Sequence, residues 1–89
     1  MTDLNAILEE RGARYGKFAD HARVTQEIKR AIYSHIPGEL DNDMLEALDM
    51  IAHKIGRILA GDPNYADSWV DIAGYAQLVA NRLSGEGAQ

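Results

Sequence analysis

Apolar residues repeat at helical spacing over the segment DNDMLEALDMIAHKIGRILAG, residues 41–61, and this repeat constrains the fold more than any other feature. Its apolar members fall three or four positions apart, which places them on one side of a helix. These members are Met44, Leu45, Leu48, Ile51, Ala52, Ile55, Ile58 and Leu59. Asp41 or Asn42 suits the start of the helix, and Gly61 suits its end. The segment therefore predicts a long amphipathic helix that buries one side.

Three further segments predict helices around it. The first covers residues 2–16, with Thr2 as the expected N-cap. The second covers about 18–36 and ends at Pro37, because the residue before a proline disfavours the helical conformation. The last covers about 65–83. No alternating β-branched run and no Asn-Gly or Asp-Gly turn predicts a strand pair.

Short connections between amphipathic helices favour an all-α fold, a four-segment helical bundle. We predict one helical domain over residues 1–84 and a flexible C-terminal tail over 85–89. Its core is expected to include the apolar side of the second helix and that of the last. These residues are Val24, Ile28, Ala31 and Ile32, followed by Tyr65, Trp69, Ile72, Ala76, Val79, Ala80 and Leu83.

Composition narrows the class of protein. A chain of 89 residues buries a modest core, so we expect a homo-oligomer, a dimer or larger, to complete the bundle. The absence of cysteine predicts a cytoplasmic protein without thiolate metal sites. A net charge of −5 argues against direct binding to nucleic acid or to a membrane surface. A small phosphorylated ligand stays possible, because it needs only a local basic pocket or a metal.

A second, polar side accompanies the apolar one on each of the last two helices. At about 100° per residue, each helix brings its polar residues onto a shared side. The polar set is Glu46, Asp49, His53 and Arg57 on the third helix, and Asp67, Asp71, Tyr75 and Arg82, with Leu78, on the fourth. Such a side is usually the solvated face of a helix. The glycines Gly56 and Gly74 inside these helices favour the close approach of another backbone or of a ligand, so the alternative is a cleft between subunits.

A cleft of carboxylates suggests a metal site. Carboxylate oxygens from two helices are suitable ligands for Mg²⁺, which can clamp a phosphate chain and activate water. Lys54 and Arg57 are candidates to neutralise the remaining phosphate charge.

Two blocks of the chain resemble a known family. The segments EALDMIAHKIGRIL and DSWVDIAGYAQLV are similar to the core helices of the all-α MazG-like nucleoside triphosphate pyrophosphohydrolases. Nearly the whole chain, including ERGARYGKFADHA and GDPNYADSWVDIAGYA, resembles small phage-encoded MazG-like proteins. The resemblance implies a phage protein in the host cytoplasm and Mg²⁺-dependent cleavage of a nucleotide. Its acidic motif places catalytic and metal-binding roles on Glu46, Asp49 and Asp71. The position three residues before Asp71 holds Ser68, and the nearest acid there, Asp67, is a further metal ligand candidate.

The segment RYGKF, residues 14–18, adds candidate ligand contacts. Tyr15 or Phe18 is a candidate to stack on a base, and Arg14 or Lys17 to meet phosphate. The alternative is that both aromatic rings cap the core of the bundle. His53 and Tyr75 join the ligand-binding candidates because they share the polar sides of their helices.

Three functions remain open from the sequence. The first is an enzyme, a Mg²⁺-dependent nucleoside triphosphate pyrophosphohydrolase. The second is a non-catalytic protein that sequesters a nucleotide or counters a host defence, which the incomplete acidic motif favours. The third is a structural or protein-interaction bundle whose polar sides are ordinary surface.

Overall fold

A computed structural model describes residues 3–85, and within that range the chain forms four α-helices and no strands. The helices are α1 (Leu4–Tyr15), α2 (Phe18–Tyr33), α3 (Asn42–Ala60) and α4 (Ala66–Ser84). Each matches a predicted segment, with α4 ending one residue past its predicted end, so the predicted all-α, four-helix fold is confirmed. Thr2 and residues 86–89 of the predicted tail lie outside the described residues. None of these four helices is both long and apolar enough to cross a bilayer.

The helix ends follow local signals in the sequence. Asp3 is the N-cap of α1, where its carboxylate accepts a hydrogen bond from the backbone N–H of Asn5 at 3.0 Å. Asp41 and Gly61 are the N-cap and C-cap of α3, as predicted. The second helix ends at Tyr33, three residues before its predicted end.

The third helix, α3, is the one on which the others pack. Both α2 and α4 lie along α3, whereas α2 and α4 do not contact each other. Lys54 meets α4 and Gly56 meets α2. Lys54 and Gly56 are two residues apart, which is about 200° around the axis of α3. Therefore α2 and α4 occupy opposite sides of α3.

A glycine permits the close approach of α2 to α3. A Cβ atom at Gly56 would clash with the hydroxyl of Thr25 and would lie 2.8 Å from Cδ2 of His21. Both of those side chains are buried, and Ala52, one turn before Gly56, is fully buried. The predicted role of Gly56 in close approach is confirmed for a neighbouring helix. Gly74 has no atom of the described residues near its Cβ position.

Ion pairs hold α4 against α3 in an antiparallel register. The ammonium of Lys54 lies 3.0 Å from the carboxylate of Asp71. Near the other end of the contact, the guanidinium of Arg82 pairs with Asp43 and, at 2.9 Å, with Asp41. Lys54 is therefore level with Asp71, and Asp43 is level with Arg82.

Little of the expected apolar core is buried within this chain. No large side chain of the described residues is fully buried, and apart from Ile58 the buried residues are small or polar. They include Ala47, Ala52 and Ile58, together with His21, Thr25, Lys54 and Ser68. Trp69, which we expected in the core, is 55% exposed, and its indole N–H donates to the carbonyl oxygen of Pro63 at 2.9 Å. That expectation is wrong for the single chain, because α4 turns Ser68 towards α3 and Trp69 lies about 100° away on the helix.

The contact at Gly56 generates a prediction about stability. We expect Gly56→Ala to lower the free energy of unfolding by about 1–3 kcal/mol, since the new methyl group overpacks the contact with Thr25. The matched control is Gly74→Ala, which should raise that free energy by about 1 kcal/mol through helix propensity alone. Urea unfolding measures both changes. Equal stabilisation by the two substitutions would contradict the close packing of α2 on α3.

Candidate ligand-binding site

A pocket of about 540 Å³ lies where the turn between α1 and α2 meets α3. This volume is within the range of about 300–1,000 Å³ that is typical of small-molecule sites. The lining residues are Leu8, Arg11, Gly12, Tyr15, Gly16, Lys17, Phe18, His21, His53 and Arg57. Three of these side chains carry a fixed positive charge and none is acidic. We call this site the cationic pocket.

Backbone contact between two glycines holds the turn against α3. Gly16 has a φ of +82°, which favours glycine, and a Cβ atom there would clash with the carbonyl oxygen of Ala60. A Cβ atom at Gly61 would clash with the backbone of Tyr15. The N–H of Asp62 also donates to the carbonyl oxygen of Arg14 at 2.8 Å. The end of α1 is thereby fixed on the end of α3, which brings the basic residues of both helices together.

Arg57 is the central cation of the pocket. Its guanidinium carbon lies 4.1 Å from the centroid of the Tyr15 ring, and that of Arg11 lies 5.2 Å from the same centroid. These distances are those of cation–π contacts, so Tyr15 orients both arginines. The Nε of Arg57 is buried and has no hydrogen-bond partner among the described residues. A buried donor without a partner costs about 1–3 kcal/mol.

Two histidines form the wall beside Arg57. The ring centroids of His21 and His53 lie 4.5 Å apart, edge to face. His21 donates from Nε2 to the carbonyl oxygen of His53 at 3.0 Å, which places its proton on Nε2. Burial, and after it the nearby charges of Arg57 and His21, lower the pKa of His53 to about 4. His53 is therefore neutral at pH 7 and can donate or accept one hydrogen bond.

An exposed aromatic ring stands at the edge of the pocket. Phe18 is 79% exposed, so the alternative that it caps the core is wrong. The ring of Tyr15 is half-buried and contacts two arginines, which leaves Phe18 as the ring that is free to stack on a ligand. Arg14 lies outside this pocket and pairs with Glu10 at 3.1 Å.

Besides Phe18, the structure brings together four of the ligand-binding residues that the sequence indicated, and besides Arg14 it leaves two elsewhere. Tyr15, Lys17, His53 and Arg57 all line the cationic pocket. Lys54 is buried at the contact with α4, and Tyr75 borders a separate surface depression that Asp71 also lines. Sequence reasoning missed Arg11 and His21. Arg11 precedes Tyr15 by one helical turn, and that spacing is the signal that associates the two residues.

The four predicted carboxylates do not form one cluster in the chain. Asp71 pairs with Lys54, Asp49 accepts a hydrogen bond from the hydroxyl of Tyr33, and Asp67 accepts one from Tyr65 at 3.0 Å. Glu46 is exposed. No group of three or more His, Cys, Asp or Glu side chains within residues 3–85 is arranged to hold a metal ion.

The antiparallel register explains this separation. Asp71 is level with Lys54, which lies eight residues beyond Glu46 on α3. At 1.5 Å per residue, Glu46 and Asp71 are therefore about 12 Å apart along the helix axes. Ser68, which stands at the acidic position of the MazG-like motif, is 3% exposed and faces α3. One Mg²⁺ ion does not fit this set of carboxylates within one chain.

The comparison with protein families identifies the chain. A family model described as a domain of unknown function, DUF6378, matches residues 2–83. The chain belongs to the DUF6378 family. No curated protein and no solved structure matched this DUF6378 chain. The family description gives no activity, so the resemblance to MazG-like and phage proteins stays a prediction for this DUF6378 member.

The lowered pKa of His53 predicts how the stability of the DUF6378 chain responds to acid. Between about pH 6.5 and pH 4 the unfolded imidazole binds a proton that folded His53 does not bind, so stability falls as the pH is lowered through that window. Between pH 7.5 and pH 4.5, we expect the free energy of unfolding of His53→Gln to fall by about 1–2 kcal/mol less than that of the wild type, after allowance for solvent screening. Urea unfolding at the two pH values measures the difference. An identical loss in both proteins would show that His53 is not buried in its neutral form.

Proposed function

We propose that the protein binds a small phosphate-bearing ligand of the nucleotide type in the cationic pocket and does not cleave it. The observation that carries the proposal is the convergence of Arg11, Lys17 and Arg57 around aromatic rings in one pocket without an acidic side chain. The chain as a whole has a net charge of −5, so this concentration of positive charge is local.

The charges of the pocket support an anionic ligand. Arginine donors match the oxygens of a phosphate group, and lysine adds a further positive charge at the same site. The guanidinium of Arg57 lines the pocket and lies against the ring of Tyr15. Neutral His53 supplies an additional hydrogen bond without adding charge at pH 7. Together these groups favour a phosphate over a neutral ligand.

The aromatic edge of the pocket supports a ligand that also carries a planar ring. Phe18 exposes its ring, and the stacking of a base on an aromatic side chain contributes about 1–3 kcal/mol. A ligand with both a base and a phosphate is a nucleotide. The resemblance to MazG-like proteins supports the same ligand class, because that family acts on nucleotides.

The positions of the carboxylates favour binding over hydrolysis. The Mg²⁺-dependent cleavage that the MazG-like resemblance implies requires several carboxylates around one metal. Asp49, Asp67 and Asp71 each have a different partner in this chain. Their separation does not support a metal-dependent step within one chain, and the pocket supports a nucleotide-sequestering role instead.

Ligand binding can be tested with a panel of ribo- and deoxynucleoside mono- and triphosphates in the presence of EDTA. We expect at least one nucleotide to raise the Tm of the wild type, since a ligand that binds only the folded state stabilises it. In calorimetric titrations, Lys17→Gln should lower the affinity for that nucleotide about fivefold. This corresponds to about 1 kcal/mol for the loss of one charge contact. The matched control is Arg30→Gln, an exposed α2 residue outside the pocket, which should leave the affinity unchanged.

Two outcomes would overturn the proposal. Release of pyrophosphate only with Mg²⁺, and its loss in Glu46→Gln, would favour the pyrophosphohydrolase instead. No rise in Tm with any nucleotide would leave the structural or protein-interaction bundle as the explanation of the fold.

A further inference from the structure

One side of α3 carries only apolar side chains and has no helix of the described residues packed over it. On the helical wheel, this side spans about 80°. It lies between the α3 residues that meet α4 and the α3 residues that meet α2. It consists of Met44, Leu48, Ile51, Ile55 and Leu59. None of the five is buried, and Leu59 is 66% exposed. We call this surface the open apolar side.

The flanking helices extend the open apolar side. Asp71 and Arg82 lie on one flank of α4, where they pair with Lys54 and Asp43. This flank lies on the side of the α3–α4 contact that is remote from Ile55. The other flank of α4, which carries Trp69, Ala76 and Leu83, therefore borders the open apolar side. Trp69 and Leu83 are 55% and 60% exposed.

The flank of α2 beside the open apolar side is apolar as well. Tyr33 lies on the flank of α2 that meets Asp49, which is the opposite side of the α2–α3 contact. The remaining flank carries Val24, Ile28 and Ala31. Many of the apolar residues that the sequence indicated as core on α2, α3 and α4 thus lie on one surface that the chain itself covers only in part.

The accessible area of the chain is larger than that of a folded monomer of the same mass. The chain exposes 6298 Å², whereas a folded monomer of 9.8 kDa exposes roughly 5,200 Å². The excess of about 1,100 Å² exceeds the roughly 800 Å² that each partner contributes to a stable interface. The chain is therefore more open than a monomer of its mass, by an amount comparable to its share of one interface.

We propose that a second copy of this chain covers the open apolar side and forms a two-fold symmetric dimer. A two-fold interface brings the same surface of each copy together, so an apolar surface complements itself. The five α3 residues and the bordering α4 residues carry no charge, and two chains of net charge −5 can therefore meet there without placing carboxylates opposite each other. These residues offer no charged group with which a partner could form an ion pair.

The proposed dimer leaves the cationic pockets accessible. His53 and Arg57 lie about 160–200° from Ile55 on the wheel of α3, so each pocket opens away from the interface. The sequence predicted an interface built from the polar sides of α3 and α4. The structure instead assigns the apolar sides to it, and the dimer does not depend on the proposed ligand.

Light scattering coupled to size exclusion tests the dimer. We expect the wild type to have twice the chain mass of 9.8 kDa at micromolar concentrations. Leu59→Glu should weaken dimerisation at least tenfold, because it places a carboxylate in the apolar interface, and should not disturb the monomer, in which Leu59 is already exposed. The matched control is Val70→Glu on the outer side of α4, where the residue is 64% exposed, and this variant should remain dimeric. A monomeric wild type, or an assembly that persists in Leu59→Glu, would overturn the proposal.

The single tryptophan provides a second test that needs no substitution. Trp69 is 55% exposed in one chain, and the proposed partner covers it. We expect its fluorescence to shift to longer wavelength and to become more accessible to iodide as the wild type is diluted, in parallel with the loss of dimer mass. Emission and quenching that do not change while the mass halves would place the interface elsewhere.

Discussion

The packing of α2 and α4 on opposite sides of α3 is the constraint on which the rest of the structure depends. Small residues such as Ala52 and Gly56 admit α2 on one side, and the pairing of buried Lys54 with Asp71 fixes α4 on the other. Two sides of α3 are then left. One is polar and receives the end of α1, which creates the cationic pocket. The other is apolar and receives no helix of the described chain, which leaves the open apolar side where we propose the dimer interface. The two features that bear on function are therefore consequences of one packing arrangement.

The chemistry of the pocket follows from desolvation as much as from charge. Arg57 is held against the ring of Tyr15, and its Nε is buried without a partner among the described residues. Burial keeps the pKa of His53 low, so that the pocket presents fixed cations beside a neutral imidazole at pH 7. In our proposal, a phosphate group balances the charge of these cations. The carboxylates, in contrast, face separate partners along the α3–α4 contact, and this separation is the physical reason for proposing a binding protein rather than a hydrolase.

The sequence predicts the helices well because their signals are local. The 3.6-residue period, the N-cap Asp41 and the C-cap Gly61 all lie within or beside α3. The same period shows which residues share a side of a helix, but it does not show which neighbour that side meets. The period therefore predicts Trp69 in the core, although the ion pair of Asp71 selects a different side of α4. Likewise, the sequence indicates Tyr15 and Arg57 separately. Their meeting depends on the backbone contact of Gly16 with Ala60, a tertiary contact that has no local signal.

The most direct measurement of the central claim is a map of backbone amide shifts in ¹⁵N-labelled protein during titration with nucleoside triphosphates, first in EDTA and then with Mg²⁺. Binding in the cationic pocket predicts that the largest shifts occur in EDTA, within residues 11–21 and 53–57, and that Mg²⁺ does not move them to other residues. Shifts that appear only with Mg²⁺ and centre on Glu46, Asp49, Asp67 and Asp71 would contradict the account.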